Sequence, residues 1–296
     1  MIDLHLHTTA SDGRLSPAQL VARASAAGLT IISVTDHDTV AAIAEVTEAA
    51  KPVNIRVVPG IEITAVDDGR DVHMLGYFFD PLSTTLATVL ERQRALRVAR
   101  VREIGEKLAA LGMPIDVESV LLAAAARPGS SVGRPQVARE LVQAGYVTSV
   151  QDAFDQWLAT GRPAFMPRTG PSPAAIVDTI HEAGGVASIA HPAVTKRDEL
   201  IAPLVAHGMD AIEVYHSDHS PDAVQLYKRM AERLGAQVSG GSDFHGDDPT
   251  LNPSRTRRST LGVVCLPTDA FEALSASARH RQFLSRASTD RTRDHT

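Results

Sequence analysis

Seven short, nearly continuous apolar runs punctuate the chain, and most of them carry histidine or carboxylate at one end. They are Ile2–Leu6, Ile31–Thr35, Arg56–Thr64, Val72–Phe79, Val186–Ala190, Ala211–Tyr215 and Gln237–Gly240. Their Val, Ile and Leu content predicts parallel strands buried on both faces, which require crossover helices. Ser16-Pro17 and Ser172-Pro173 each set a capping hydroxyl before a proline at the first helical position, opening helices that run to Gly28 and Gly184. Thr39–Ala50 and Pro221–Leu234 fill two further gaps with helical periodicity. Strand and helix in alternation predict an α/β fold. The alternation breaks between Leu82 and Pro163. There Leu86, Leu90, Val101, Ile104 and Leu108 mark one long helix ending at Gly112, with shorter helices expected over Val117–Ala125, Pro135–Ala144 and Val150–Leu158. We therefore expect a barrel core of residues 1–81 and 164–284 and a helical insertion over the active site at 82–163. A flexible tail is expected at 285–296, where the chain is polar, charged and without period. The arginines from Arg92 to Arg102 read as the solvated face of the long helix.

Composition narrows what such a fold can do. With 296 residues and 44% hydrophobic content the chain can bury a sizeable core, which excludes global disorder. No stretch approaches the roughly 18 to 20 uncharged apolar residues of a membrane helix, and Met1 leads into Ile-Asp-Leu-His rather than a basic and then apolar leader. A cytoplasmic protein without a membrane or an obligatory protein partner is expected. A net charge of −6 argues against a footprint for duplex DNA, and 4% aromatic residues leave little for base-stacking platforms. The single cysteine, Cys265, means that any metal must be held by His, Asp and Glu.

Placing the histidines sorts them. His5 and His7 stand two apart on a strand, so both rings face one side. Asp12 follows in the turn Ser11-Asp12-Gly13. The second run ends in Thr35-Asp36-His37-Asp38, the third carries Gly60-Ile61-Glu62, and the fourth begins Val72-His73. Farther on come Ala190-His191-Pro192 and Ser242-Asp243-Phe244-His245. In a parallel barrel the strand C-termini share one rim, so six histidines and three carboxylates converge there. That many uncompensated polar groups would be costly without cations. His181, His207, His280 and His295 fall in helices or the tail and read as surface residues. Imidazole and carboxylate without thiolate suit Mn, Fe or Zn. Nine ligands exceed what two ions take while leaving positions open to water, so three divalent ions fit better, and phosphoester hydrolysis is the natural chemistry.

The same segments resemble the polymerase and histidinol phosphatase (PHP) family of metal-dependent phosphoesterases: His5-Leu6-His7, Ser11-Asp12-Gly13, Thr35-Asp36-His37-Asp38, Gly60-Ile61-Glu62, His73, Ala190-His191-Pro192 and Ser242-Asp243-Phe244-His245. The resemblance implies a distorted seven-stranded β/α barrel and a three-metal site. By it His5, His7, Glu62 and Asp243 hold a first ion, Asp12, His37 and His245 a second, and Glu62, His73 and His191 a third, with Glu62 bridging two. Within the family the chain most resembles the stand-alone branch acting on nucleoside 3′,5′-bisphosphates and short RNA 5′ ends. Gly133-Arg134-Pro135 matches the substrate-binding turn of that branch, making Arg134 the candidate phosphate clamp. Two positions depart from the pattern. Gln136 stands where a histidine is expected, and Ala193-Val194-Thr195 replaces a more usual Gly-Arg-Tyr, leaving Lys196, Arg197 or Arg168 as substitutes for a phosphate contact.

The chemistry expected is in-line attack of an activated hydroxide on phosphorus, releasing phosphate from a small phosphorylated nucleotide or short single-stranded RNA. His219 is the candidate general acid, with His216 as an alternative or as a substrate contact, and Asp36 is expected to orient a ligand imidazole. Three other readings compete: a histidinol-phosphate phosphatase sharing the metal site, an exonuclease module serving a DNA polymerase, and a non-catalytic metal-binding scaffold. The acidic charge and the absence of polymerase sequence weigh against the second, and the complete ligand set against the third.

Overall fold

The computed structural model describes residues 1–246 and 260–293. Each expected apolar run holds one strand: β1 (Ile2–Leu6), β2 (Ile31–Val34), β3 (Arg56–Asp67), β4 (Arg70–Tyr77), β5 (Val186–Ile189), β6 (Ala211–His216) and β7 (Gln237–Gly241). They form one sheet in sequence order. Its two ends also approach each other: His7 N–H donates to the Phe244 carbonyl at 3.0 Å, and Asp243 N–H donates to the His5 carbonyl at 2.8 Å. The result is a nearly closed seven-stranded barrel.

One strand departs from the expected parallel arrangement. β4 pairs antiparallel with β3, placing His73 opposite Thr64, and antiparallel with β5. All other neighbours are parallel. The cause is local. Asp68 and Gly69 join β3 to β4 with φ of 48° and 69°, the left-handed pair that a two-residue hairpin needs. A parallel return would have required a crossover of about a dozen residues. Because β4 runs backwards, its beginning lies at the rim where the parallel strands end, so His73 still reaches the site.

The helices are α1 (Pro17–Ala26), α2 (Ile43–Ala50), α3 (Thr84–Ala110), α4 (Val117–Ala125), α5 (Arg134–Gln143), α6 (Val150–Ala153), α7 (Pro173–Glu182), α8 (Pro192–Thr195), α9 (Ile201–His207), α10 (Pro221–Leu234) and α11 (Thr268–Arg293). The two Ser-Pro starts behave as the sequence predicts: Ser16 and Ser172 accept from the backbone N–H groups of Gln19 and Ala175, and Ser220, not singled out from the sequence, caps α10 in the same way through Ala223 N–H. Each such cap stabilises its helix by about 1 kcal/mol. Ile61, Ile63, Val72, Met74 and Ile189 of the barrel pack with Ile176, Val177 and Ile180 of α7. The helices between β4 and β5 have an apolar cluster of their own around Ile104, Leu108, Val137 and Leu141.

Three expectations change. Residues 285–293, expected to lack regular structure, continue α11 as helix, since neither glycine nor proline interrupts the chain beyond Thr268. Residues 294–296, His295 among them, lie outside the described residues. The arginines of α3 are not a uniform solvated face: Arg97 and Arg100 are buried, because the barrel rim covers that side of the helix. His181 is not incidental either, as its Nε2 lies 2.7 Å from Asp210 Oδ2.

Candidate metal centre and substrate pocket

β1 supplies the floor of the site. His5 and His7 sit on one face with ring centroids 5.2 Å apart, both fully buried. Glu62, near the middle of β3, faces five imidazoles. Its Oε2 lies 3.2 Å from His5 Nε2, 3.3 Å from His7 Nε2 and 3.2 Å from His37 Nδ1, while its Oε1 lies 2.7 Å from His73 Nδ1 and 3.0 Å from His191 Nε2. Asp243 Oδ1 stands 3.1 Å from His7 Nε2. Asp12 faces His245 Nε2 at 3.2 Å and His37 Nε2 at 3.7 Å. All nine residues singled out from the sequence as ligands therefore meet in one place. Donor atoms of eight of them fall into three groups that could each hold a cation: His5, His7, Glu62 and Asp243; His7, Asp12, His37 and His245; His37, Glu62 and His73. The third group has His37 where the resemblance implies His191, which adjoins it through Glu62 Oε1 at 3.0 Å.

The donor set fits divalent cations. Nitrogens of His7, His37 and His73 are buried without a hydrogen-bond partner, although Glu62 oxygens lie 2.7 to 3.3 Å away. Ligands aimed at a shared cation have this arrangement, whereas hydrogen-bonded pairs are aimed at each other. Tautomers agree. The Nδ1–H of His245 donates to the Asp243 carbonyl at 2.8 Å, leaving the Nε2 lone pair facing Asp12. Electrostatics point the same way. Burial would raise the Glu62 carboxyl, but His37, His73 and His5 hold it well below the usual range. Burial likewise opposes ionisation of Asp12, which His245 and His37 outweigh. Burial would lower His7, yet Asp243 and Glu62 beside it push it up to about 10. His37 goes the other way, to about 3, because burial there prevails over Glu62 and Asp12. Protons on such imidazoles compete directly with cations, so metal affinity falls in acid.

Backbone conformation aims these groups. Asp38, His191 and Asp243 all have positive φ, at 52°, 27° and 55°, a cost of roughly 1–3 kcal/mol each that ordinary loops avoid. Gly13 lets the Asp12 loop lie against β1, since a Cβ there would come within 2.5 Å of the His7 carbonyl oxygen. Asp36 holds the same loop. Its carboxylate accepts from Thr8 N–H at 2.8 Å, Thr8 hydroxyl at 2.6 Å and Ser11 hydroxyl at 2.6 Å. The expected contact to a ligand imidazole is thus replaced by bonds to the segment that presents Asp12. Gln136 reaches the segment from the other side, donating to the Ser11 carbonyl at 2.6 Å. Arg139 donates to the carbonyl of Asp12.

Beside the nine residues opens a cavity of about 580 Å³, walled on its far side by Arg97, Arg100, Arg134 and Arg168. Two carboxylates serve these four cations. Asp38 pairs with Arg97 at 2.5 Å and Arg168 at 3.7 Å, while Asp71 pairs with Arg134 at 3.1 Å and Arg100 at 3.4 Å. Burial draws Arg168 down to about 9 and Arg134 down to about 10, with the neighbouring arginines adding to the effect. Both stay charged at neutral pH. The excess of cations makes this wall a receptor for anions.

The remaining sequence candidates fare differently. Arg134 lines the cavity, its guanidinium over the rings of Phe154 and Phe165. Arg168 lines it as well, whereas Arg197 is engaged by Asp67 and Glu199. Lys196 is exposed and does not line the cavity. His216 is buried, with Nδ1 accepting from Asp218 N–H at 3.1 Å and Nε2 facing Asp243 Oδ2 at 3.3 Å, so it braces a carboxylate. His219 is buried between His216 and Tyr227, outside the cavity lining. Its Nδ1–H donates to the Val214 carbonyl at 2.8 Å, and burial draws the ring below the usual imidazole range. A neutral ring held this way has no proton on Nε2 to donate. Sequence reasoning passed over Glu213, Asp38 and Asp71. The only signal for Glu213 was a carboxylate inside the apolar run Ala211-Ile212-Glu213-Val214.

Residues 3–129 match the family model described as the PHP domain. A 5′-3′ exoribonuclease of Haemophilus influenzae is 39% identical over 248 residues, covering 82% of this chain and 89% of the relative. The chain belongs to the PHP family. It is a metal-dependent phosphoesterase, a hydrolase acting on phosphoric ester bonds. A 3′,5′-nucleoside bisphosphate phosphatase of Chromobacterium violaceum is another relative of this PHP protein, 33% identical over 249 residues, with 82% of this chain and 87% of that one covered. Among solved structures, a metal-dependent phosphoesterase from Bifidobacterium adolescentis superposes with a TM-score of 0.82 at 32% identity, covering 92% of this chain and 94% of the other. Among the described residues, no helix is long and apolar enough to cross a membrane.

Proposed function

We propose that this PHP protein removes the 3′-phosphate from nucleoside 3′,5′-bisphosphates, and trims short RNA from its 5′ end, at a site holding three divalent ions. The observation that carries the reading is the pairing of a nine-ligand cage with a wall of four arginines across one cavity. One phosphoryl group fits the cage and a second anionic group fits the wall, as a bisphosphate or a 5′-phosphorylated oligonucleotide requires. Divalent cations bound by these residues would lower the pKa of a coordinated water and neutralise charge on the phosphoryl oxygens. The protein's own residues do the rest. Glu62 and Asp243 draw histidines of different strands together, Asp36 and Gln136 fix the loop bearing Asp12, and Arg134 with Arg168 fixes the distal phosphate. The names of the Haemophilus and Chromobacterium relatives support this substrate class.

The same wall weighs against histidinol phosphate, whose ammonium group would face four guanidinium groups. Mn fits the mixed imidazole and carboxylate set, as Fe and Zn do. The barrel core, residues 1–81 and 164–284, carries the cage, and the helical segment 82–163 provides most of the arginine wall. Parallel turnover with adenosine 3′,5′-bisphosphate, a 5′-phosphorylated RNA trimer and histidinol phosphate in Mn²⁺ tests the proposal. Preference for histidinol phosphate, or no release from either nucleotide substrate, overturns it.

A further inference from the structure

Glu213 lies near the middle of β6, fully buried, with one carboxylate oxygen engaged from β1 and the other from the residue that precedes α8. Its Oε1 accepts from His5 Nδ1–H at 2.8 Å. Its Oε2 accepts from the backbone N–H of His191 at 2.6 Å. His5 belongs to the proposed first ion and His191 to the third, so a single side chain grips ligands of two ions. We infer that Glu213 is the positioning residue of the metal centre, fixing the tautomer of His5 and the strained backbone of His191 together.

The two contacts do different things. A carboxylate can only accept, so it holds the His5 proton on Nδ1 and leaves the Nε2 lone pair turned toward Glu62 and Asp243, which lie 3.2 and 3.4 Å away. At His191 the φ of 27° is a conformation that non-glycine residues seldom adopt, and a charge-assisted hydrogen bond to the amide of that residue supports it. From there the ring reaches Glu62 Oε1 at 3.0 Å. His5, Glu213 and His216 also have donor atoms close enough to suggest a cation of their own. Their hydrogen bonding argues otherwise: Nδ1 of His5 is used by Glu213, while Nδ1 of His216 accepts from Asp218 N–H. Glu213 acts through the ligands.

The inference rests on the metal-centre reading above, and the experiment separates the two. Mn²⁺ affinity of chelator-stripped protein is measured from the free-ion paramagnetic resonance signal for wild type, Glu213→Gln and Asp210→Asn, alongside melting temperature. A carboxamide offers one acceptor oxygen for two donors, so Glu213→Gln should weaken Mn²⁺ binding by roughly 10- to 100-fold. Asp210→Asn, which removes an ion pair away from the site, should lower the melting temperature and leave affinity within about twofold. Unchanged affinity in Glu213→Gln, or equal loss in Asp210→Asn, overturns the positioning role while leaving the metal centre standing. Wild type that binds no Mn²⁺ overturns the metal centre itself. Should Glu213→Gln fail to fold, nitrogen-15 resonances of Zn-loaded wild type decide: the role requires a protonated Nδ1 on His5, and a protonated Nε2 refutes it.

Discussion

Arg134→Ala separates the two halves of the proposed substrate site. The Arg134 side chain is 21% exposed, stands 3.1 Å from Asp71 Oδ2 and stacks near two phenylalanine rings, so its guanidinium is already aimed before a ligand arrives. Asp71 retains Arg100 at 3.4 Å and Arg168 at 4.0 Å when Arg134 is removed, so no carboxylate is stranded and the fold should tolerate the change. A hydrogen bond to a charged group contributes about 1.5–3 kcal/mol, and losing it lowers kcat/KM about 10- to 150-fold. The loss should appear with adenosine 3′,5′-bisphosphate, largely in KM because the distal phosphate is bound alike in ground and transition states. p-Nitrophenyl phosphate, which has no second phosphate, should be turned over within about threefold of wild type. Steady-state kinetics on both substrates, with circular dichroism to confirm folding, provide the assay. Equal losses on the two substrates, or none on the bisphosphate, would refute the assignment of the arginine wall to the distal phosphate.

Other perturbations probe the architecture. Asp38→Ala takes the carboxylate from the buried guanidinium of Arg97 and leaves Arg168 only Asp71 at 4.0 Å, and should cost about 3–5 kcal/mol of stability, read by urea denaturation. A loss under 1 kcal/mol would mean that solvent reaches the network. His219→Ala should leave the pH profile of kcat unchanged in shape, because the ring lies outside the cavity; disappearance of the basic limb would restore a general-acid role. Burial opposes ionisation of Asp210, but His181, the Ala187 N–H and Arg281 hold its carboxyl below the usual 3.8. Its contribution is therefore full above that value and is lost as pH falls below it. Asp210→Asn should flatten this part of the acid-denaturation curve, and wild-type and mutant curves that stay parallel down to about pH 3 would contradict the ion pair.

Much of the fold was legible because buried strands announce themselves as short apolar runs, and Ser-Pro starts are local signals. All nine candidate ligands were legible for the same reason: strand ends converge in a barrel whatever lies between them. The direction of β4 was missed although Asp68-Gly69 encodes the hairpin, because apolar content alone does not distinguish parallel from antiparallel pairing. The role of Glu213 was hidden for a different reason. Its meaning depends on His5, 208 residues away, and only the closed barrel brings them together. Arg97 and Arg100 belong with it, since periodicity marks the faces of α3 without saying which face the barrel rim covers. Asp36 shows the limit of motif reading. Its place beside His37 was seen, but the bonds it makes run to Thr8 and Ser11 rather than to an imidazole.

The central claim is that the nine residues hold three divalent ions which together hydrolyse a phosphoester. Mn²⁺ titrated into chelator-stripped protein tests it, with bound metal and phosphate release from adenosine 3′,5′-bisphosphate measured on the same samples. The account predicts no release from stripped protein and a recovery that reaches its plateau as the third ion binds. Release that survives stripping, or a plateau reached at one bound ion, would contradict it.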